Sequence, residues 1–459
     1  MAPKHSIGRF ARHLACALFL FALAGCASVE VDRAPAAAIE HPAVTEAQAL
    51  ARAHAGLSGQ ARADNTARIE ALLAQLDDAA LSRAASGLAA GNPLYNFAGR
   101  ALLNRGLPLP RPFDRTEWNF DAAARPPADR DGYRPPVKVA LLLPLTGGQA
   151  AAASAVRDGF LTGYYGESRR RPELRFYDTA SGANAAYARA AAEGNDFVVG
   201  PLARDEVDAV FADDTPKVPL LALNRGSRSP PAGSASFSLS PEDEGISLAR
   251  YLIERGAKRV LIVGAGEDGQ RRSASAARAQ LERRGVRVAA SLTAGGDLTE
   301  ALRQAQADGA IDAVLLAMKG SQARTVVAQL AMAGISAATR VATSQVTSGT
   351  GKAAEDVALD GIVYPTETWG AGSVPGLPSP ASAAARLETA KGPAARLFAF
   401  GFDAWLLTAY LERLVLSANA DLPGATGRLS LDGFGNVLRQ PSWSRYSGGV
   451  PVPLGDGAR

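Results

Sequence analysis

A chain of 459 residues, 47% hydrophobic and 20% charged, is too long for a single average domain and apolar enough to bury two or three cores. Its formal charge of +4 falls close to zero once Lys4, Arg9 and Arg12 are removed with the leader described next, so no electrostatic footprint for nucleic acid remains. Of the two cysteines, Cys16 lies within that leader and Cys26 directly follows it, and all four histidines, His5, His13, His41 and His54, precede residue 55, which removes disulfides, thiolate or imidazole metal sites and Ser-His-Asp or Cys-His catalysis from the main body. Carboxylate, lysine or cofactor chemistry survives that test, but nothing in the sequence calls for a cofactor or a metal, and the expectation is a protein that is not an enzyme.

The first 25 residues are expected to be a signal peptide. Three basic residues lead into an apolar run through Leu14, Leu18, Phe19, Leu20 and Phe21, closed by Leu23-Ala24-Gly25-Cys26. The run is well short of the roughly 20 residues that span a bilayer. It resembles a bacterial lipoprotein signal, in which cleavage falls before Cys26 and that cysteine becomes the lipidation site. Acyl chains contribute about 0.8 kcal/mol per buried methylene, so several chains anchor far more firmly than one. Ala27, where such lipoproteins carry aspartate for inner-membrane retention, implies a lipid anchor in the outer membrane with the protein facing the periplasm.

Residues 26–44 read as an Ala- and Pro-rich tether and residues 45–106 as a helical region. Ile69, Leu72, Leu73 and Leu76 make one apolar helix face, with Asp64 or Asn65 placed to cap its start. A further helix is expected over Leu81 to Ala90, and Asn92-Pro93 opens another carrying Leu94, Phe97, Ala101 and Leu102. Hairpins of tetratricopeptide-repeat type and a small helical bundle fit this stretch equally. Residues 107–136 hold seven prolines and read as an extended linker or wrapping segment.

Beyond Pro136 strands and helices alternate. Val137 to Leu145 is nearly all apolar, as a parallel strand buried on both faces requires, and a helix follows from Gln149 to Tyr165. Further strands are expected at Leu174 to Tyr177, Phe197 to Val199 and Leu220 to Leu223, with helices near Asn184 to Glu193 and Arg204 to Phe211. A helix from Pro241 to Arg255 carries Glu242, Asp243 and Glu244 in its first turn, matched to the helix dipole. A second series runs through Val260 to Val263, Val286 to Leu292, Ala313 to Ala317, Arg340 to Thr343 and Gly361 to Tyr364. The expected fold class is therefore α/β, two parallel-sheet lobes in tandem preceded by a short helical region. Residues 137–245 with about 375–440 form the first lobe, and residues 246–374 with about 441–453 the second.

Three motifs invite catalytic or ligand readings. Gly264-Ala265-Gly266-Glu267-Asp268-Gly269 follows a strand and precedes a helix, the setting of a dinucleotide fingerprint, but Glu267 and Asp268 put negative charge where a pyrophosphate would lie; a permissive turn fits better. Leu143-Pro144-Leu145-Thr146-Gly147 spells a sortase signal, yet lies at the end of a buried strand, so it reads as a turn. The pairs Asp213-Asp214 and Glu355-Asp356 read as solvated surface rather than hydrolytic carboxylates.

Residues 139–147, Val156-Arg-Asp-Gly-Phe160, Phe176-Tyr-Asp-Thr179, Phe197-Val-Val-Gly-Pro-Leu202, Pro219-Leu-Leu-Ala-Leu-Asn224, residues 237–244 and Phe402-Asp-Ala-Trp405 together resemble the penicillin-binding-protein activator lipoproteins (LpoA/LppC), in order over roughly residues 137–450. The resemblance implies a type I periplasmic-binding-protein-like fold and a lipid-anchored, non-catalytic regulator that binds and stimulates a class A penicillin-binding protein, a peptidoglycan synthase. Its helical region is shorter than in the larger members. Ligands of α/β sheets bind at the carboxyl ends of the strands. Those positions bring Thr146, Gly147, Ala203, Arg204, Asn224 and Arg225 towards Glu267, Lys319, Gln345 and Glu367. Relatives that bind amino acids use small hydroxyl residues where Ala203 and Arg204 stand. Arg204 is suited either to holding an anion or to closing the cleft by pairing with Glu367. The alternative function is a lipid-anchored solute receptor for an amino-acid-like or cell-wall-derived small molecule.

Overall fold

The computed structural model describes residues 41–455 apart from residues 58, 115–124, 214–215 and 232, so the expected leader and Cys26 lie outside the described residues. Four helices come first: α1 (Pro42–His54), α2 (Gly59–Ala74), α3 (Asp78–Gly87) and α4 (Tyr95–Asn104). Val44, Ile69, Leu73, Leu81, Leu94 and Leu102 bring their apolar stripes into one core, which Phe113 of the proline-rich segment joins. α3 begins at Asp78 rather than Leu81 because Asp77 caps it, its Oδ1 accepting from the Ala80 N–H at 2.7 Å. The expected cap at Asp64 or Asn65 does not form: α2 starts earlier, and Asn65 lies buried within it, donating to the Leu50 carbonyl at 3.1 Å.

The end of the proline-rich segment is strapped down by side chains. Arg134 donates to both carboxylate oxygens of Glu412 at 2.7 and 2.8 Å, and the Arg169 guanidinium stacks 3.7 Å over the Tyr133 ring.

In the first lobe, β1 (Lys138–Leu143) is buried from Val139 to Leu143, which accounts for its continuous apolar run. It is followed by α5 (Ala150–Gly166), β2 (Glu173–Asp178), α6 (Ala183–Ala192), β3 (Phe197–Val199), α7 (Arg204–Val210), β4 (Leu220–Ala222) and the two-residue β5 (Ala235–Ser236). The sheet is parallel in the order β2-β1-β3-β4-β5. The chain then crosses to the second lobe before α8 (Pro241–Glu254), not within it near residue 245, since Leu248, Ala249 and Leu252 pack in the core of the second sheet.

The second lobe contains β6 (Arg259–Gly264), α9 (Asp268–Arg283), β7 (Arg287–Thr293), α10 (Thr299–Ala307), β8 (Ala313–Ala317), α11 (Gly320–Met332), β9 (Thr339–Ala342) and β10 (Ile362–Thr366). The order β7-β6-β8-β9-β10 repeats that of the first sheet. The chain returns through α12 (Ala394–Leu416), whose Phe400, Ala404 and Trp405 enter the first-lobe core. A Cβ on Gly159 of α5 would overlap the Phe398 carbonyl, and one on Gly401 of α12 the Val156 carbonyl, so these two glycines set the closeness of that helix crossing.

Sequence reading did not identify the strands that follow. β11 (Leu422–Pro423), β12 (Arg428–Leu431) and β13 (Val437–Gln440) form a small antiparallel sheet on the first-lobe core. Phe434, in the turn between β12 and β13, meets Phe97 at 4.7 Å and lies 4.2 Å under the Arg100 guanidinium, joining this sheet to α4. β14 (Ser442–Ser447), antiparallel to β10, and β15 (Val450–Pro453), antiparallel to β14, then extend the second sheet. Among the described residues no helix is long and apolar enough to cross a membrane. The expected α/β class, with two parallel-sheet lobes and a helical region before them, is the observed architecture.

Candidate functional site

In each sheet the strand order reverses between the first and third strands, β1 and β3 in one lobe and β6 and β8 in the other, which places the crevices of an open α/β sheet there. Most of the residues expected at the first-lobe crevice are committed to neighbouring groups. Thr146 Oγ1 donates to Asp178 Oδ2 at 2.6 Å, and this hydrogen bond leads the effects that hold the Asp178 carboxyl below its ordinary range. Gly147 supplies the positive φ of 79° that turns the chain after β1. The Ala203 N–H donates to Glu206 Oε2 at 3.2 Å, and Asn224 ties two loops together by donating to the Leu202 carbonyl at 2.9 Å.

In the second lobe, Lys319 Nζ lies 2.9 Å from Glu267 Oε1. Both side chains are about half exposed, so the pair contributes little to stability. Glu267 stands in the glycine-rich turn after β6 and Lys319 at the start of α11, after β8. Gln345 Oε1 accepts from Ser348 Oγ at 3.2 Å. Of the two acidic pairs read as surface, Asp356 departs from expectation: it is buried, ion-paired with Arg324, and accepts from the Gly351 N–H at 2.7 Å.

Of the two roles open to Arg204, the pairing with Glu367 is not formed. Glu367 is taken by Arg396 of α12, whose Nε lies 2.9 Å from Glu367 Oε1, close enough for an ion pair but not aligned as a hydrogen bond. Arg396 Nη1 donates to Ser344 Oγ at 2.8 Å, and Nη2 lies 3.9 Å from Glu244 Oε2. Glu244, only 6% exposed, also accepts from the Ser344 N–H. One arginine on a first-lobe helix thus reaches the start of α8, the segment after β9 and the end of β10.

The three acids that open α8 complement its dipole, as their sequence position suggests, and each also has its own partner. Glu242 accepts from Arg272 Nε at 2.6 Å and Nη2 at 2.9 Å; burial opposes its charge, but Arg272 and Ser240 hold the carboxyl below its usual range. Asp243 takes Arg225 Nη1 at 2.6 Å; burial again opposes the charge, and the aspartate outweighs it, keeping the guanidinium firmly protonated. Glu244 faces Arg396. Arg439 of β13 lies behind them, its Nη1 donating to the Thr426 carbonyl at 2.9 Å, with its proton affinity lowered by burial and then by Arg396.

Sequence reasoning found Glu242, Asp243 and Glu244 as a dipole-matched turn, but it missed Arg272, Arg396 and Arg439 because their partners are distant in sequence. Arg204 remains outside the network: among the described residues it has no hydrogen-bond or ion-pair partner, and it lines a cavity of about 470 Å³. Among the described residues no group of three or more His, Cys, Asp or Glu side chains is placed to hold a metal ion.

A family model described as "LppC putative lipoprotein" matches residues 133–449, from the strapped end of the proline-rich segment through β14. The chain belongs to the LppC lipoprotein family. Every cleft residue from Thr146 to Glu367, and Arg396 with them, lies within the LppC match. A curated relative, penicillin-binding protein activator LpoA of Klebsiella pneumoniae subsp. pneumoniae, is 28% identical over 316 residues, which cover 61% of this chain and 44% of that protein. The chain spans about half the length of the curated relatives it matches. Full-length LpoA from Haemophilus influenzae superposes with a TM-score of 0.62 over 90% of this chain and 74% of its own, at 21% identity. The LpoA (YraM) C-domain from the same organism, described as a regulator of PBP1A, gives 0.60 over 69% of this chain and 100% of its own, at 24% identity. Both are likenesses of fold.

Proposed function

We propose that this protein is a lipid-anchored, non-catalytic regulator that binds a class A penicillin-binding protein and stimulates peptidoglycan synthesis from the outer membrane. The observation that carries this reading is the family match over residues 133–449, together with relatives named penicillin-binding protein activator LpoA. The chemistry of the main body supports it: from residue 55 onward there is neither histidine nor cysteine, and the charged groups of the cleft are largely spent on one another. A site built this way is suited to holding a shape.

In this account Cys26 carries the lipid, the residues between it and α1 form the tether, helices α1 to α4 form a foot, and the two lobes present the working surface. A regulator raises a synthase's rate by binding its active state more tightly than its inactive one. About 1.4 kcal/mol of preference shifts that equilibrium tenfold. The test is co-purification of the full chain with a class A synthase from native membranes, followed by surface plasmon resonance between the purified partners. Saturable binding at or below about micromolar concentration supports the proposal, and its absence refutes it.

A further inference from the structure

We propose that the cavity bounded by the ends of β3 and β4, the start of α8 and the first turns of α12 binds a small organic anion with an apolar body and no ammonium group. Its volume of about 470 Å³ suits a molecule of amino-acid to dipeptide size. Leu202, Leu223, Leu239 and Phe400 give it apolar walls, and Phe400 is held in place by stacking on Phe237 at 4.4 Å.

The polar lining is one-sided. It carries Arg204, Arg225 and Arg272 against a single carboxylate, Glu242. Glu242 is already spent: Arg272 grips both of its oxygens at 2.6 and 2.9 Å, and Ser240 Oγ donates to it at 2.7 Å. Arg225 is matched by Asp243. Of the arginines in this lining, only Arg204 has no partner among the described residues, and a guanidinium presents the planar fork that takes a carboxylate through two parallel hydrogen bonds. A ligand carboxylate therefore finds a free cation, whereas a ligand ammonium finds no free carboxylate in the lining and would lie among arginines. Zwitterionic amino acids are disfavoured on that ground, and an anion whose nitrogen is acylated or absent is favoured. This inference does not depend on the synthase partner.

The test is isothermal titration calorimetry on the full chain in lipid nanodiscs with three probes of equal apolar body: N-acetylleucine, leucine and N-acetylleucinamide. N-acetylleucine is expected to bind with a Kd at or below about 1 mM, and the zwitterion and the neutral amide at least about tenfold more weakly. Arg204→Ala should weaken N-acetylleucine binding at least about tenfold and Arg204→Gln nearly as much, with the Tm of the unliganded protein unchanged because Arg204 holds nothing in place. Leucine binding as tightly as N-acetylleucine, no binding of N-acetylleucine up to about 10 mM, or binding undiminished in both variants would each overturn the proposal.

Discussion

Arg396 Nε lies 2.9 Å from Glu367 Oε1, so a helix rooted in the core of the first lobe grips the end of the second lobe's β10. The same guanidinium faces the buried Glu244. Truncating Arg396 would take the paired cation from both carboxylates and leave Arg439 as the charge that acts on them. Because Arg396 and Glu367 keep about a fifth of their side-chain surface in water, the loss for Arg396→Ala is expected near the low end for a broken buried pair, about 3 kcal/mol in urea unfolding. Adding Glu367→Gln should recover part of it; independent, additive losses would show that the pair does not couple.

The crossing of α5 and α12 gives a prediction of opposite sign to helix propensity. Alanine for glycine inside a helix ordinarily stabilises by up to about 1 kcal/mol. At Gly159 or Gly401 the added methyl would overlap a backbone carbonyl, and each substitution should instead cost about 1–3 kcal/mol. Gly87 of α3 has nothing within 4 Å of the new carbon, and Gly87→Ala should be neutral or stabilising. Thermal unfolding of the three variants checks the contrast.

Asp403 supplies a pH signature. It is wholly buried in α12, where it accepts from the N–H groups of Ala425 and Thr426, and burial pushes its carboxyl up to about 7 from an ordinary 3.8. Between those values the folded state holds a proton that the unfolded chain has released, so the group's contribution is fully present below the lower value and is lost as pH rises through about 7. Glu242, held below its ordinary range, contributes in the opposite sense: its stabilisation is present above 4.5 and is lost as pH falls through its lowered value. Unfolding free energies measured from about pH 4 to about pH 8 should fall more steeply with pH in the native protein than in Asp403→Asn. Equal slopes would remove Asp403 as the source.

Lipidation at Cys26 is tested by labelling cells with an alkynyl fatty acid. The native chain should take up the label and fractionate with membranes. Cys26→Ser should do neither, because no acyl chain remains to bury. Label retained in the variant would place the anchor elsewhere.

The architecture was legible where burial dictates sequence. Val139 to Leu143 and Ala313 to Ala317 are covered on both faces, and their apolar runs announce it. The edge and antiparallel strands were not legible: β14 and β13 mix serine, arginine and glutamine with isolated apolar residues, and the two-residue β5 carries too little pattern. The crevice positions followed from topology, so Thr146, Asn224, Arg225, Glu267 and Lys319 stand at the strand ends where they were expected. Their pairing was hidden, because charge complementarity between Arg396 and Glu367, or between Arg225 and Asp243, depends on which loops meet. The misplaced cap at Asn65 has the same origin: a residue suited to starting a helix was used inside one to hold the Leu50 carbonyl.

The central claim is regulation of a synthase by contact. The most direct measurement is the initial rate of glycan polymerisation and peptide cross-linking by a purified class A penicillin-binding protein from the same cells, with and without the full chain at saturating concentration. The account predicts that at least one of the two rates rises by about twofold or more, with no product formed by this protein alone. Unchanged rates under conditions where the two proteins demonstrably bind would contradict it.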